Sequence, residues 1–208
     1  MLVETQVKMN HYDSHRYLSK KRWNSMWHQL DEIRTLGINS LLEIGPGPGL
    51  LKVVGNALGI TVTTLDLNPE LHPDYLAPAT SIPLPDDSFE AVCAFQVLEH
   101  MPYQESLTAL GEMVRVSRRY VIISLPDARR VWPYRIHIPK LGTLQFLLPR
   151  PQLQAPVHQF DGQHYWEINK RDFPLDRIKA DFSRGLELLR TYRVPENTYH
   201  RFFVFQLV

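Results

Sequence analysis

A glycine-rich turn and one downstream carboxylate have the residue types and spacing of a ligand-binding site. The turn, Glu43-Ile44-Gly45-Pro46-Gly47-Pro48-Gly49, continues directly from the apolar stretch Leu41 to Ile44. Glycines there let the backbone approach a nucleotide-like cofactor, and Asp66, about twenty residues further on, could accept both ribose hydroxyls. A dinucleotide fingerprint would need another glycine where this chain has Leu50. The spacing therefore disfavours a pyrophosphate-containing cofactor, although nicotinamide enzymes also use an acid at the Asp66 position.

A second group of polar and aromatic residues lies in the last third of the chain and could supply substrate chemistry. Its members are His137, His158, Asp161, His164, Tyr165, Trp166 and Glu167. They could form a pocket wall or, equally, a buried aromatic cluster. Histidine accepts protons near neutral pH, so His164 is predicted as a catalytic base with His100 as its rival, while Tyr165 and Trp166 would exclude water and orient a substrate. The separations match no familiar metal-ligand spacing, and no metal site is predicted.

Helical and strand patterns alternate along most of the chain. Apolar residues three or four apart between Tyr17 and Leu36 indicate an amphipathic helix whose apolar face comprises Trp23, Met26, Trp27, Leu30 and Ile33. Strands are predicted at Leu41–Ile44, Ile60–Leu67, Phe89–Val97 and Tyr120–Leu125, with helices at Leu50–Leu58 and Gln104–Val116. This alternation predicts a doubly wound, mostly parallel α/β sheet that binds its ligand along one edge.

The last third departs from this alternation. Residues 129–174 contain many prolines and aromatic residues but few clear elements. They are predicted to form an inserted cap over the site, within a single domain that spans residues 1–208. Two further strands, Leu186–Arg193 and Arg201–Val208, are predicted to form an antiparallel hairpin at the carboxyl end of the chain.

Composition and charge narrow the range of partners. The formal net charge is +1, which disfavours nucleic acid as a partner. The single cysteine, Cys93, lies in an apolar run and is expected to be buried. The start of the chain lacks the pattern of a signal peptide and no apolar stretch is long enough to span a membrane, so a cytoplasmic location is expected. Leu141–Leu148, between Lys140 and Arg150, is expected to pack on the core, with a lipid surface or a lipophilic substrate as the alternative.

The glycine-rich turn also carries a family resemblance. Its E-x-G-x-G-x-G pattern resembles motif I of class I S-adenosylmethionine-dependent methyltransferases. The resemblance continues through Ile82–Glu90 and Val97–His100, which are similar to the L-P-F-x-D-x-S-F-D and L-E-H segments of the group that includes ubiquinone- and menaquinone-pathway enzymes. It covers residues 40–126 and implies a Rossmann-like fold with a seven-stranded sheet, S-adenosylmethionine as the cofactor and methyl transfer as the reaction.

By this resemblance, the cofactor would be bound by Glu43, Gly45, Pro46, Gly47, Gly49, Asp66, Leu67, Thr80, Ser81, Ile82, Gln96 and Val97. Glu43 would orient loop amides or face the cofactor ammonium group. Many relatives carry an acid for the adenine amino group where this chain has Pro78. Adenine recognition is therefore expected to use Thr80, Ser81 and Ile82, with Leu67 packing on the ring.

The expected acceptor is a small molecule, methylated at oxygen, nitrogen or carbon by a monomer or homodimer. A nucleic-acid or protein methyltransferase is the second possibility, which the charge and the lack of an N-P-P-Y or D-P-P-Y motif disfavour. A dehydrogenase that uses a nicotinamide cofactor is the alternative from another enzyme class. A cofactor-binding scaffold without activity is the fourth.

Overall fold

The computed structural model describes residues 18–208, so Tyr17 at the predicted start of the first helix lies outside the described residues. Within these residues, the structure has four α-helices: α1 (Lys20–Thr35), α2 (Leu50–Ala57), α3 (Tyr103–Val116) and α4 (Leu175–Phe182). The strands are β1 (Ser40–Ile44), β2 (Thr61–Asp66), β3 (Tyr75–Leu76), β4 (Phe89–Phe95), β5 (Ser117–Pro126), β6 (Val131–Ile138), β7 (Gly142–Pro149), β8 (Leu186–Val194) and β9 (Asn197–Leu207). Helix α4 and strands β3, β6 and β7 were not predicted from the sequence.

Seven strands form one sheet in the order β3-β2-β1-β4-β5-β9-β8. The first five are parallel, whereas β9 runs antiparallel to both β5 and β8. The seven-stranded, mostly parallel sheet with an antiparallel hairpin at its end is therefore confirmed. Because the strand order reverses direction beside β1, the carboxyl ends of β1 and β4 border a crevice, which is where open α/β sheets bind ligands.

Buried side chains cover both faces of the sheet. One cluster includes Ile33 of α1 and Leu51 of α2, and Cys93 is buried in it as expected. The other includes Met113 of α3 and Phe182 of α4. The predicted apolar face of α1 is confirmed in part, since Met26 and Ile33 are buried and Leu30 packs against the first cluster. The expectation that Trp23 and Trp27 belong to the buried face is wrong, because both are exposed.

The expectation of few clear elements in residues 129–174 is also wrong. Strands β6 and β7 pair along their full length as a two-stranded ribbon separate from the main sheet. The chain leaves the sheet at Asp127 and returns at Ile168, which forms a parallel bridge with it. Asp127 is buried and forms ion pairs with Arg193 and Arg201, so the base of this excursion is fixed to the hairpin of β8 and β9.

The apolar run Leu141–Leu148 does not pack on the core. Leu141, Leu144 and Leu148 are 84%, 54% and 45% exposed. Within residues 18–208, no helix combines the length and the apolar character needed to cross a membrane.

Candidate active site

A cleft of about 780 Å³ opens at the carboxyl ends of β1, β2 and β4. Nine of the twelve predicted cofactor residues line it: Glu43, Gly45, Pro46, Gly47, Asp66, Leu67, Thr80, Gln96 and Val97. Both candidate bases, His100 and His164, line it as well, although they are 64 residues apart in the sequence. The fold thus joins the glycine-rich turn and the histidines in one cavity, whose volume suits a ligand of drug size.

The glycine-rich turn is held against the sheet by its own backbone. The Gly45 amide donates to the Leu65 carbonyl at 2.9 Å, and the φ angles of Gly45 and Gly47 are 67° and 52°, a region that side chains disfavour. A Cβ atom at Gly45 would lie 2.5 Å from Cγ2 of Val97. Glycine is therefore required here by both the backbone angle and the close approach of the strand end. Gly49, at φ 73°, begins α2 but does not line the cleft.

Two carboxyl groups face the cofactor half of the cleft. Glu43 is buried, and its Oε2 atom has no hydrogen-bond partner among the described residues. Burial, together with the nearby charge of Asp66, raises the pKa of Glu43 to about 8. Burial also raises the pKa of Asp66, although the Asn68 amide donates to its Oδ1 at 2.8 Å and opposes that shift. A buried carboxyl that lacks a partner suits the cationic group of a ligand.

The residues that follow β4, beside the glycine-rich turn, have a strained backbone and are hydrogen-bonded to β5. Gln96 has a φ of 59°, its amide donates to the Ser124 carbonyl at 2.9 Å, and its side-chain amide donates to the Ser124 hydroxyl at 3.2 Å. The Val97 carbonyl accepts from the His100 amide at 3.0 Å. Non-glycine residues with positive φ are concentrated at functional sites, and this one sits at the crevice.

The three residues predicted to recognise adenine differ in whether they line the cleft. Thr80 lines the cleft, whereas Ser81 is exposed outside it. The Ile82 amide donates to Glu112 at 2.8 Å and its carbonyl accepts from Arg115 at 2.9 Å. Both polar groups of the Ile82 backbone thus tie the loop to α3, and its contact with adenine stays a prediction.

A Glu–His pair lies on the opposite wall. His164 Nδ1 is 3.0 Å from Oε1 of Glu167, which also accepts a hydrogen bond from the Tyr199 hydroxyl. Burial raises the pKa of Glu167, but hydrogen bonds from His164 and Tyr199 and the charge of Lys170 outweigh it and lower that pKa. For His164, burial lowers the pKa, but the bond to Glu167 and the charges of nearby carboxylates outweigh it and raise that pKa.

His100 lies in a 3₁₀ turn (Leu98–His100) before α3, and not in the helix itself. Its Nδ1 is 3.1 Å from the Gln163 carbonyl, and its ring centroid is 5.0 Å from that of His164. Beside it, Glu99 is fully buried and both carboxyl oxygens lack a hydrogen-bond partner among the described residues. Burial raises the pKa of Glu99 to about 8.

Some of these side chains come close enough to hold a metal ion. Among the described residues, one set is Glu99, His100 and His164, and the other is Asp161, His164 and Glu167, each with its ligand atoms within 4.8 Å of one another. Sequence spacing gave no indication of the first set, because Glu99 and His100 lie 65 and 64 positions before His164.

The two aromatic residues next to His164 have different surroundings. Tyr165 lines the cleft, whereas Trp166 is fully buried and donates from Nε1 to the Ser106 hydroxyl at 3.1 Å. Trp166 packs edge-on against Tyr103, with ring centroids 5.0 Å apart. It therefore supports the cavity wall from behind, and the expectation that it contacts substrate is wrong.

Sequence reasoning missed the contribution of the last strand. Tyr199 and His200, at the start of β9, line the cleft together with Asn197. Burial lowers the pKa of His200 to about 4. They reach the site because β9 pairs with β5, where the Asp127 amide donates to the Tyr199 carbonyl at 2.7 Å. No local pattern in the sequence signals this pairing. His137, by contrast, is exposed on the ribbon and does not line the cleft.

Comparisons with known proteins agree with this geometry. Residues 42–123 match the family described as "Methyltransferase domain". No curated protein matches the chain in sequence. Similar solved structures include the 1,6-didemethyltoxoflavin-N1-methyltransferase of Burkholderia thailandensis with bound S-adenosylhomocysteine, at 15% identity and a TM-score of 0.61, covering 96% of this chain and 84% of that one.

Two further structures have the same fold. The magnesium protoporphyrin IX methyltransferase of Synechocystis, solved with S-adenosylmethionine, is 13% identical with a TM-score of 0.58, over 90% of this chain and 80% of that one. An S-adenosylmethionine-dependent methyltransferase of Mesorhizobium loti is 13% identical with a TM-score of 0.60, over 90% of this chain and 98% of that one. Residues 42–123 are thus similar to a methyltransferase domain, and the sheet order gives the chain the fold of these S-adenosylmethionine-dependent methyltransferases.

Proposed function

We propose that this chain transfers the methyl group of S-adenosylmethionine to a small molecule that binds in the same cleft. The observation that carries the proposal is that one cavity joins the glycine-rich turn and Asp66 to the His164–Glu167 pair. Bound S-adenosylmethionine supplies an electrophilic methyl group, so the protein needs to align the acceptor and to remove its proton.

The cofactor half of the cleft offers a carboxylate for the ribose and a second carboxyl group for the ammonium group of S-adenosylmethionine. Asp66 accepts the ribose hydroxyls, and the unpartnered oxygen of Glu43 receives the ammonium group of the methionine part. Gly45 and Gly47 provide a surface without side chains beside that tail, while Leu67 and Thr80 border the adenine. Two structural neighbours are named for small acceptors: one holds 1,6-didemethyltoxoflavin, and the other is a magnesium protoporphyrin IX methyltransferase.

His164 is the proposed base for a hydroxyl or amine acceptor. Glu167 holds Nδ1, which leaves Nε2 to take the proton as the acceptor atom gains the methyl group. Glu167 also stabilises the imidazolium that forms. Tyr165 covers the reacting atoms from water, and Tyr199 fixes the orientation of Glu167. His100 is the alternative base, since it lines the same wall.

A ligand-dependent thermal shift tests the cofactor and the reaction class. S-adenosylmethionine or S-adenosylhomocysteine at a hundred times its dissociation constant is expected to stabilise the chain by about 2.7 kcal/mol, which raises Tm by roughly 5 to 10 °C. NAD should leave Tm unchanged. A shift with NAD alone would instead support a dehydrogenase.

Labelled methyl transfer then separates the acceptor classes. The chain is incubated with methyl-labelled S-adenosylmethionine and a cell extract, and the products are separated by mass. Label is expected in the low-mass fraction. Label confined to protein or nucleic acid would overturn the small-molecule proposal while leaving the cofactor assignment intact.

Once an acceptor is known, His164→Ala is expected to lower the single-turnover methylation rate by about a hundredfold or more, a usual contribution of a general base. Because the pKa of His164 lies above its ordinary value, the wild-type rate should rise with pH and level off only above that pKa. Glu167→Gln removes the charge that raises this pKa, so the midpoint of the rate profile should move to lower pH.

His100→Ala and His137→Ala serve as comparisons, since His100 shares the cleft wall and His137 lies outside it. Cofactor affinity is measured for each variant so that a binding defect is not mistaken for a slower reaction. The rate should withstand a metal chelator. Loss of activity on chelation with recovery on adding zinc would make Glu99, His100 and His164 metal ligands and remove the base role from His164.

A further inference from the structure

The ribbon of β6 and β7 exposes one face that is entirely apolar. Residues opposite each other in an antiparallel pair share a face, and successive pairs alternate between faces. One face therefore carries Trp132 with Leu148, Tyr134 with Phe146, Ile136 with Leu144, and Ile138 with Gly142. The rings of Tyr134 and Phe146 stack with centroids 5.3 Å apart. The other face includes Arg135 opposite Gln145 and His137 opposite Thr143.

This apolar face is open to solvent. Its seven large side chains are between 37% and 54% exposed, and Leu141 at the tip is 84% exposed. Single exposed apolar residues are ordinary, but a contiguous surface of this kind marks a site of interaction with a partner or a membrane.

The charge around the face is of one sign. Residues 128–160 contain Arg129, Arg130, Arg135, Lys140 and Arg150, and they contain no Asp or Glu. The whole chain has a net charge of only +1, so this segment is a local excess of positive charge on a protein that is otherwise slightly acidic. At the base of the ribbon, the Arg150 guanidinium lies 5.5 Å from the centre of the Trp132 ring. Lys140 stands next to Leu141 at the tip.

We propose that residues 129–150 form a peripheral membrane-docking arm whose apolar face enters the interface of an anionic lipid bilayer. Tryptophan, tyrosine and aliphatic side chains favour the boundary between headgroups and acyl chains, and arginine and lysine extend from there to lipid phosphates. Pairing of two arms face to face would bring the basic residues of both together without an acid on either arm to neutralise them. An anionic bilayer would cover the apolar face with its acyl chains and pair the basic residues with its phosphates.

The arm also has a rigid attachment beside the cleft. Its strands leave the sheet just after β5, where Asp127 forms ion pairs with Arg193 and Arg201, and the Arg150 amide donates to the Arg130 carbonyl at 3.0 Å. Because β5 ends at the same edge of the sheet as β1 and β4, docking through the arm places that edge near the lipid surface.

Vesicle flotation with the full chain tests the arm. Wild type is expected to bind vesicles of phosphatidylcholine and phosphatidylglycerol in equal parts, to bind phosphatidylcholine vesicles at least tenfold more weakly, and to be released by high salt. Ile136→Thr with Leu144→Thr keeps the charge and the strand preference but removes two apolar side chains, so the partition coefficient on anionic vesicles should fall at least tenfold.

Two variants separate the apolar from the ionic contribution. His137→Thr with Gln145→Thr alters the opposite face and should bind nearly as wild type does. Arg135→Gln with Lys140→Gln should weaken binding to anionic vesicles and leave the remaining binding less sensitive to salt. Circular dichroism and Tm check that each variant is folded, which is expected because the ribbon lies outside the main sheet.

The proposal is overturned if wild type does not bind anionic vesicles, or if Ile136→Thr with Leu144→Thr binds them as tightly as the control on the opposite face. It is also overturned if wild type sediments as a dimer without lipid and this apolar-face variant sediments as a monomer, since a second copy would then cover the face. None of these readouts depends on methyl transfer.

Discussion

Replacing Glu43 with glutamine is expected to make the cofactor-free protein more stable at pH 8 while leaving its stability at pH 5 almost unchanged. Between about pH 4.5 and 8, the Glu43 carboxyl is ionised in the unfolded chain but keeps its proton in the folded one. The folded state then binds more protons than the unfolded state, so the free energy of unfolding falls as pH rises. The raised pKa corresponds to a loss of about 5 kcal/mol at pH 8 and above. Glutamine has no proton to lose and escapes this penalty.

Chemical denaturation across this pH range measures the effect. The slope of stability against pH should decrease in Glu43→Gln by the contribution of one proton, and Glu99 should supply a similar slope that persists in that variant. Glu187→Gln, at an exposed position of β8, is the matched control and should follow wild type. An unchanged slope in Glu43→Gln would show that Glu43 is ionised in the folded protein.

Replacing Asp66 with alanine is expected to raise the Kd for S-adenosylmethionine roughly a hundredfold or more. Two hydrogen bonds from ribose hydroxyls to a charged acceptor contribute about 1.5 to 3 kcal/mol each before water compensates for their loss. The fold should survive, because Asp66 lies at the end of β2 and the hydrogen bonds to its carboxylate come from the neighbouring backbone amides of Leu67 and Asn68.

Calorimetry on the folded variant measures this affinity. Asp66→Asn keeps one acceptor oxygen and should have an intermediate Kd. Asp176→Ala, at an exposed position of α4 that does not line the cleft, controls for the loss of a carboxylate. Wild-type affinity in a folded Asp66→Ala protein would remove Asp66 from the site.

The agreement between sequence and structure is closest where elements are local. The apolar runs before Gly45 and Asp66 became β1 and β2, and the helix predicted at Gln104 begins one residue earlier, at Tyr103. For α1, three- and four-residue spacing located the helix and placed Met26 and Ile33 on its buried face, but Trp23 and Trp27, predicted on the same face, are exposed. Periodicity gives the angle between side chains, but which side of the helix meets the sheet depends on the strands beneath it. Membership of the ubiquinone-like group stays a prediction.

In residues 129–174, the secondary structure was not predicted, for a different reason. The prolines of β6 made its alternation of side chains hard to recognise as a strand. The alternation also does not reveal which neighbouring segment pairs with it, and β7 is that partner. Their role as a cap stays a prediction, since His164 and Tyr165 line the cleft while the ribbon projects away from the core.

By itself, the sequence determined the glycine-rich turn, the carboxylate that follows it and the order of β1, α2, β2, β4, α3 and β5, because each depends on residues close together in the chain. Only the tertiary structure decided that Tyr199 would reach Glu167 and that His100 would meet His164. It also buries Trp166 in the core and exposes the apolar face of the ribbon, which includes Ile136 and Leu144, to solvent. These contacts join segments up to 64 residues apart, and they depend on the pairing of β5 with β9 and on the return of the chain at Ile168. Such pairings are selected by the burial of the whole sheet, which no single stretch of sequence contains.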